Sequence, residues 1–182
     1  MTKFLNRLAE KRTLFHLLFP LACLIFAKPQ DIYLFIGAGL VLLGEIVRII
    51  SAGHITKNEL LTVSGPYAYT RNPLYFGSFL MGLGISFLSG FPLIVIPIFL
   101  FLFALIYIPT IKGEEDFLEK RFGEEYLNYK NAVPVFLPSL KKRIGSKGEK
   151  FQWSKVKENN EHRSLLFSLL LISLFFLKKL LI

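Results

Sequence analysis

The sequence has almost no cysteine. Cys23 stands alone inside an apolar run, which excludes an intramolecular disulfide and a cysteine-based metal site. The three histidines, His16, His54 and His162, have no spacing that suggests metal ligation. No stretch interleaves stacking aromatics with basic residues as a nucleic-acid module does, so no nucleic-acid partner is expected. No convincing small-residue cleavage site follows the basic N-terminal block of Lys3, Arg7, Lys11 and Arg12. The first apolar run is therefore expected to be an uncleaved span.

Apolar residues, by contrast, abound. They make up 53% of 182 residues, with a mean hydropathy of +0.49. A soluble domain of this length is usually less apolar. Charge is gathered into blocks between apolar runs, the pattern of a polytopic membrane protein. The expected fold is all-α: one membrane helical bundle of about four to five transmembrane helices and a short cytoplasmic helical segment. The net charge of +9 then reports on topology and on the anionic cytoplasmic leaflet.

Residues 1–12 read as a basic amphipathic helix at the interface, with Phe4, Leu5 and Leu8 at helical spacing. Spans follow at about Thr13–Ala27, Ile32–Ile50, Pro73–Leu88 and Pro92–Ile111, the first and last carrying internal prolines. Glu45 and Arg48 lie three residues apart near the end of the second span; the spacing allows a mutual ion pair or a functional role. Asn72 is expected to cap the third span, with Pro73 in its first turn. A break is expected near Gly113, then a helix over Glu114–Tyr129. Residues 139–163 read as a mobile basic cytoplasmic segment, and Leu165–Ile182 as a fifth span, so that 1–138 is the membrane domain and 164–182 a C-terminal apolar helix. Lys and Arg crowd the N-terminal block, the 51–73 loop and the 112–163 segment, whereas the two opposite turns carry only Lys28. The N-terminus and both polar stretches should therefore face the cytoplasm.

Two polar stretches carry the chemistry. Residues 65–77 hold Gly65, Pro66, Tyr67, Arg71, Asn72, Pro73, Tyr75 and Gly77; one span later come Glu114 and Glu115. Singly, each residue has a structural explanation. Acidic residues favour a helix N-terminus, an arginine at the interface snorkels, tyrosines form an aromatic belt, and glycines pack helices.

Together they resemble the isoprenylcysteine carboxyl methyltransferase family and, more loosely, the related membrane phospholipid methyltransferases. The matching pattern is Gly-Pro-Tyr-x-x-x-Arg-Asn-Pro-x-Tyr-x-Gly from Gly65, then Glu114-Glu115, then Phe122, Gly123, Tyr126 and Tyr129, then Val133-Pro134. It covers about residues 44–138. The resemblance implies a helical membrane methyltransferase that binds S-adenosylmethionine without a Rossmann domain and accepts a lipidic or prenylated substrate from the bilayer, with no metal. Arg71 and Glu115 are the expected catalytic residues. The cofactor would be held by Gly65, Pro66, Tyr67, Arg71, Asn72, Pro73, Tyr75, Gly77, Glu114 and Glu115. Gly77, Gly82 and Gly84 either leave a groove for the substrate's tail or pack the third helix closely. Two residues depart from the pattern: Asn72 where many members have His, and Val135 where many have Arg, which bears on carboxyl methylation. Phospholipid amine N-methylation, an NADPH-dependent sterol-type reductase and a non-catalytic membrane protein remain as alternatives.

Overall fold

The computed structural model describes residues 2–55, 60–141 and 150–182, with side chains from Arg12 onward. The basic side chains before Arg12, Lys57, and the lysines and arginine of 142–149 lie outside the described residues. Every regular element described is helical: α1 Thr2–Phe26, α2 Asp31–Ala52, a 3-10 turn Gly65–Ala68, α3 Pro73–Leu88, α4 Pro92–Phe122, α5 Glu124–Ala132, α6 Trp153–Glu158 and α7 Glu161–Leu181. The expected all-α class holds. Helices α2, α4 and α7 are each long and apolar enough to cross a membrane; Arg12–Phe26 and α3 are shorter apolar helices. The chain is an integral membrane protein. Leu17, Phe35, Phe101 and Leu170 point outward, as lipid-facing side chains do.

The antiparallel pair α2 and α3 forms the centre, and its glycines set the spacing. A Cβ on Gly84 would lie 2.6 Å from the Gly37 carbonyl oxygen, and one on Gly77 would lie 2.7 Å from that of Gly44. In each helix the two glycines are seven residues apart, so one face repeats and the backbones meet. At Gly77 and Gly84 no groove is left: Gly84 meets Val41 and Gly77 meets Arg48. Close packing is what these two glycines do, whereas Gly82, with the Phe99 ring beside it, also lines a cavity.

Around this pair lie two apolar clusters. Cys23, Leu34, Val41, Ile85, Leu88, Leu171 and Phe175 join α1, α2, α3 and α7. Tyr75, Phe99, Phe103 and Tyr107 join α3 to α4. The Phe103 and Tyr107 rings stack at 4.0 Å between centroids.

Several expectations need correction. The N-terminal segment from Thr2 and the first span form one continuous helix, Thr2–Phe26, with Pro20 inside it. Helix α4 does not break at Gly113 but runs on to Phe122. An interior glycine costs only about 1 kcal/mol against alanine, and Leu118 and Phe122 recover packing against Tyr126 and Tyr129 beyond it. The turn comes instead at Gly123, at φ 53°, which glycine tolerates.

Residues 150–163 are ordered and docked, not a free basic segment. The Phe151 ring lies against Gly53, the Gln152 amide donates to the Gly53 carbonyl at 2.9 Å, and Val156 is buried. Glu45 and Arg48 do not pair with each other. Arg48 grips Glu161 through Nε at 3.0 Å and Nη2 at 2.8 Å, and donates to Ser78 at 2.6 Å. Glu45 accepts from Ser164 and Ser168. Both partners come from α7, whose buried stripe Glu161, Ser168, Leu171 and Phe175 repeats at helical spacing. The far end of α7 also returns charge to the turn expected to carry only Lys28. Lys178 donates to the Leu24 and Ile25 carbonyls, and Lys179 pairs with Asp31 at 3.6 Å.

Candidate active site

The 65–73 stretch begins with the 3-10 turn, Pro66 in its first positions. Gly65 has φ 58°, and the His54 ring occupies the space a Cβ would need. This stretch is laced to the strip after α5. The Arg71 amide donates to the Pro134 carbonyl at 2.9 Å, and the Ser139 amide donates to the Tyr69 carbonyl at 2.9 Å. Side chains add to the lacing: Thr70 to the Phe136 carbonyl, Asn72 Nδ2 to the Val135 carbonyl, and the Tyr129 hydroxyl to the Tyr67 carbonyl. The extended Val133–Pro138 strip thus lies over the Gly-Pro turn. Asn72 does stand at the N-cap of α3, but its side chain makes no cap bond; it is spent on the strip. Pro73 is fully buried at the first position of α3.

Adjacent positions on α4 point about 100° apart, so neighbouring glutamates reach different partners. Glu115 meets Arg71, Nη2 to Oε1 at 3.1 Å, with both side chains nearly buried at 14% and 10% exposure. Arg71 Nη1 also donates to the Lys130 carbonyl at 2.9 Å. Glu114 accepts a short hydrogen bond from the Tyr75 hydroxyl. That hydroxyl accepts one from Arg12 at 2.7 Å, and the Arg12 guanidinium lies 5.6 Å from the Tyr75 ring centre. Beside the pair, Lys130 bonds to Glu119 at 2.9 Å.

Several polar atoms here are buried without a hydrogen-bond partner: the Tyr67 hydroxyl, Arg71 Nε and the Tyr126 hydroxyl. Buried polar atoms are nearly always satisfied, so a cluster of orphans calls for an explanation. Burial pushes the phenols of Tyr67, Tyr126 and Tyr129 well above their usual range. All three are protonated at neutral pH, and Tyr129 donates to the Tyr67 carbonyl.

The two polar stretches therefore meet. Arg71, Glu115 and Tyr126 gather beside the strip, Tyr75 and Glu114 pair with each other, and Gly65, Pro66, Asn72 and Pro73 shape the turn, with Tyr67 buried within it. Gly77 does not face this group; it is taken up by packing against α2. Arg12, read from sequence only as one of four basic N-terminal residues, joins the site. So does the Lys130 carbonyl, which no side-chain motif signals. Among the described residues no group of three or more His, Cys, Asp or Glu gathers to hold a metal ion.

Residues 32–125 match the family model described as "Phospholipid methyltransferase". Over 117 residues the chain is 35% identical to Protein-S-isoprenylcysteine O-methyltransferase of Saccharomyces cerevisiae, covering 58% of this chain and 48% of that protein. The protein of the same name from Xenopus laevis is 36% identical over 118 residues, covering 58% and 41%. Cobalt-zinc-cadmium resistance protein CzcN of Cupriavidus metallidurans is 33% identical over 131 residues, covering 67% and 60%. The matched stretch spans about half the length of these relatives. The stretch 32–125 matched to the family model takes in nearly all of α2 and runs through α4, with the Gly-Pro turn and both glutamates, and leaves α1 and α7 outside. With more than half of its residues inside the family model, this chain belongs to the phospholipid methyltransferase family.

Proposed function

We propose that this protein is a membrane methyltransferase that uses S-adenosylmethionine to methylate a lipidic or prenylated acceptor, with carboxyl O-methylation as the reaction. The observation that carries the reading is the nearly buried Arg71–Glu115 pair beside the Val133–Pro138 strip, with Arg71 Nε and the Tyr126 hydroxyl left unpartnered. These atoms fit S-adenosylmethionine, which offers a carboxylate, an ammonium, ribose hydroxyls and an adenine. Arg71 would hold the carboxylate as a charged donor. Glu115 would orient Arg71 and accept from the ammonium or a ribose hydroxyl. Tyr67 and Tyr126, kept protonated by burial, would donate to what remains.

S-adenosylmethionine supplies an electrophilic methyl group, which an acceptor oxygen takes while the electron pair of the broken bond stays on sulfur. The protein's own contribution is position and dryness. Lacing the 65–73 stretch to the strip fixes the wall of the site before any ligand arrives, and fixed orientation lowers the barrier. A carboxylate acceptor needs no base. That suits a site whose two glutamates are already engaged, Glu115 by Arg71 and Glu114 by Tyr75. An amine acceptor would need one of them released. The names of the relatives, Protein-S-isoprenylcysteine O-methyltransferase, support the same reading.

Calorimetry on the detergent-purified chain tests it: S-adenosylmethionine or its demethylated product binds, and NADPH does not. NADPH binding with no adenosylmethionine binding refutes the proposal. The site face is proposed to be cytoplasmic, from the positive charge of the N-terminal block and the 112–163 segment. Labelling of a cysteine introduced at Ser139 only from the opposite side of the membrane refutes that orientation.

A further inference from the structure

A cavity of about 290 Å³ lies between α1, α2, α3, α4 and α7. Its wall is divided. Phe15, Phe19, Ile85, Phe99 and Leu171 line one part; Arg48, Ser78, Arg163, Ser164 and Ser168 line the other. The polar residues come from the last turns of α2, the second turn of α3 and the start of α7, the end of the bundle that carries the Gly-Pro turn. The apolar residues continue toward the middle. A pocket graded in this way takes an amphiphile head outward and tail inward.

The two arginines differ. Arg48 is saturated by Glu161 and Ser78. Arg163 is exposed at the rim, and among the described residues no carboxylate pairs with it. Glu45 is not among the lining residues; Ser164 and Ser168 both donate to its Oε1, and its Oε2 is buried without a partner. Arg163 is therefore the cation at the rim with bonds to give, and a guanidinium fits a carboxylate bidentately. The pocket also adjoins the site described above. His16 lines it and lies 2.6 Å from the Tyr107 hydroxyl. The Tyr107 ring is 5.2 Å from that of Tyr75, which bonds Glu114.

We propose that this cavity binds a single-chain amphiphile with a carboxylate head, the acceptor of the methyl group, and that Arg163 recognises the head. The acceptor role rests on the methyltransferase reading; the binding site does not. Val135 supplies no cation beside the Gly-Pro turn. Arg163 comes from α7, outside the 32–125 stretch matched to the family, so this chain brings its own carboxylate receptor.

The test is equilibrium binding to the full chain in neutral detergent, without cofactor, by displacement of nitroxide-labelled palmitate. The competitors are S-farnesyl-N-acetylcysteine, its methyl ester and phosphatidylglycerol. The free acid is expected to bind about tenfold tighter than the ester, the effect of one charged hydrogen-bonded contact. Arg163→Gln should erase that preference while leaving ester affinity and melting temperature unchanged, since the side chain is exposed. Ile85→Phe, which fills the apolar end, should weaken acid and ester alike. Equal affinity for acid and ester in the parent chain, or a preference that survives in Arg163→Gln, overturns the proposal. Displacement by phosphatidylglycerol as strong as by the acid also overturns it, because the site would then belong to bulk anionic lipid. Acid preference in a chain that binds no S-adenosylmethionine keeps the amphiphile site and refutes the methyltransferase reading.

Discussion

Replacing Glu115 with glutamine separates a binding role from a structural one. The carboxylate meets Arg71 at 3.1 Å, and both side chains are nearly buried. Removing one partner of a fully buried pair costs about 3–5 kcal/mol. Two features reduce that here: Arg71 keeps its bond to the Lys130 carbonyl at 2.9 Å, and the amide fills the same volume and still accepts a hydrogen bond. We expect a stability loss of about 1–2 kcal/mol. Binding should suffer more, because the charged acceptor is gone and Arg71 is no longer held in register. A loss of about 2–3 kcal/mol in S-adenosylmethionine affinity corresponds to roughly 30- to 150-fold in Kd. Calorimetry on the detergent-purified variant reads the second number, and a thermal melt without ligand reads the first. If Kd stays within about twofold of the parent while the melting temperature falls, the pair only fastens α4 to the 65–73 stretch, and the site has been misassigned.

Two further outcomes follow from geometry and burial. Gly84→Ala should cost about 1–3 kcal/mol, because its Cβ would sit 2.6 Å from the Gly37 carbonyl oxygen and backbone faces backbone; unchanged unfolding in detergent would show that α2 and α3 do not touch this closely. Tyr67 has a buried hydroxyl without a partner and a phenol raised by burial above its ordinary 10.0. Below pH 10 the folded and unfolded chains both keep that proton, and its contribution to stability is complete; above pH 10 the unfolded chain releases it first, so stability falls as pH rises. Tyr67→Phe should therefore flatten the alkaline loss without lowering stability at pH 7, while weakening S-adenosylmethionine binding; an unchanged alkaline slope refutes the assignment.

The helices were legible where the chain announces them. Pro73 and Pro92 open α3 and α4 at the expected residues because each lacks a donor the first turn does not need. The end of α4 was not legible: Gly113 reads as a break, but a single glycine is outweighed by the contacts of Leu118 and Phe122 further along. The meeting of Arg71 with Glu115 was suggested only by resemblance, since no local pattern spans 44 positions. The partners of Glu45 and Arg48 were hidden for the same reason. Three-residue spacing makes them neighbours on one helix face, yet each finds its partner on α7, more than a hundred residues away. Phe151, Trp153 and Val156 among the lysines were the missed sign that residues 150–163 would dock.

Helix α7 is bolted at both ends. Glu161 grips Arg48 near one membrane surface, and Lys178 plugs the open carbonyls at the end of α1 near the other. Seventeen residues of helix separate the bolts, about 26 Å at 1.5 Å per residue. That is slightly less than the ~30 Å hydrocarbon core of a typical bilayer. A helix held only by apolar contacts can slide to suit the membrane around it. This one cannot slide without drawing a bolt, so the bundle has a fixed gauge. In a thicker bilayer the lipid must thin around it, and in a thinner one the whole bundle must lean.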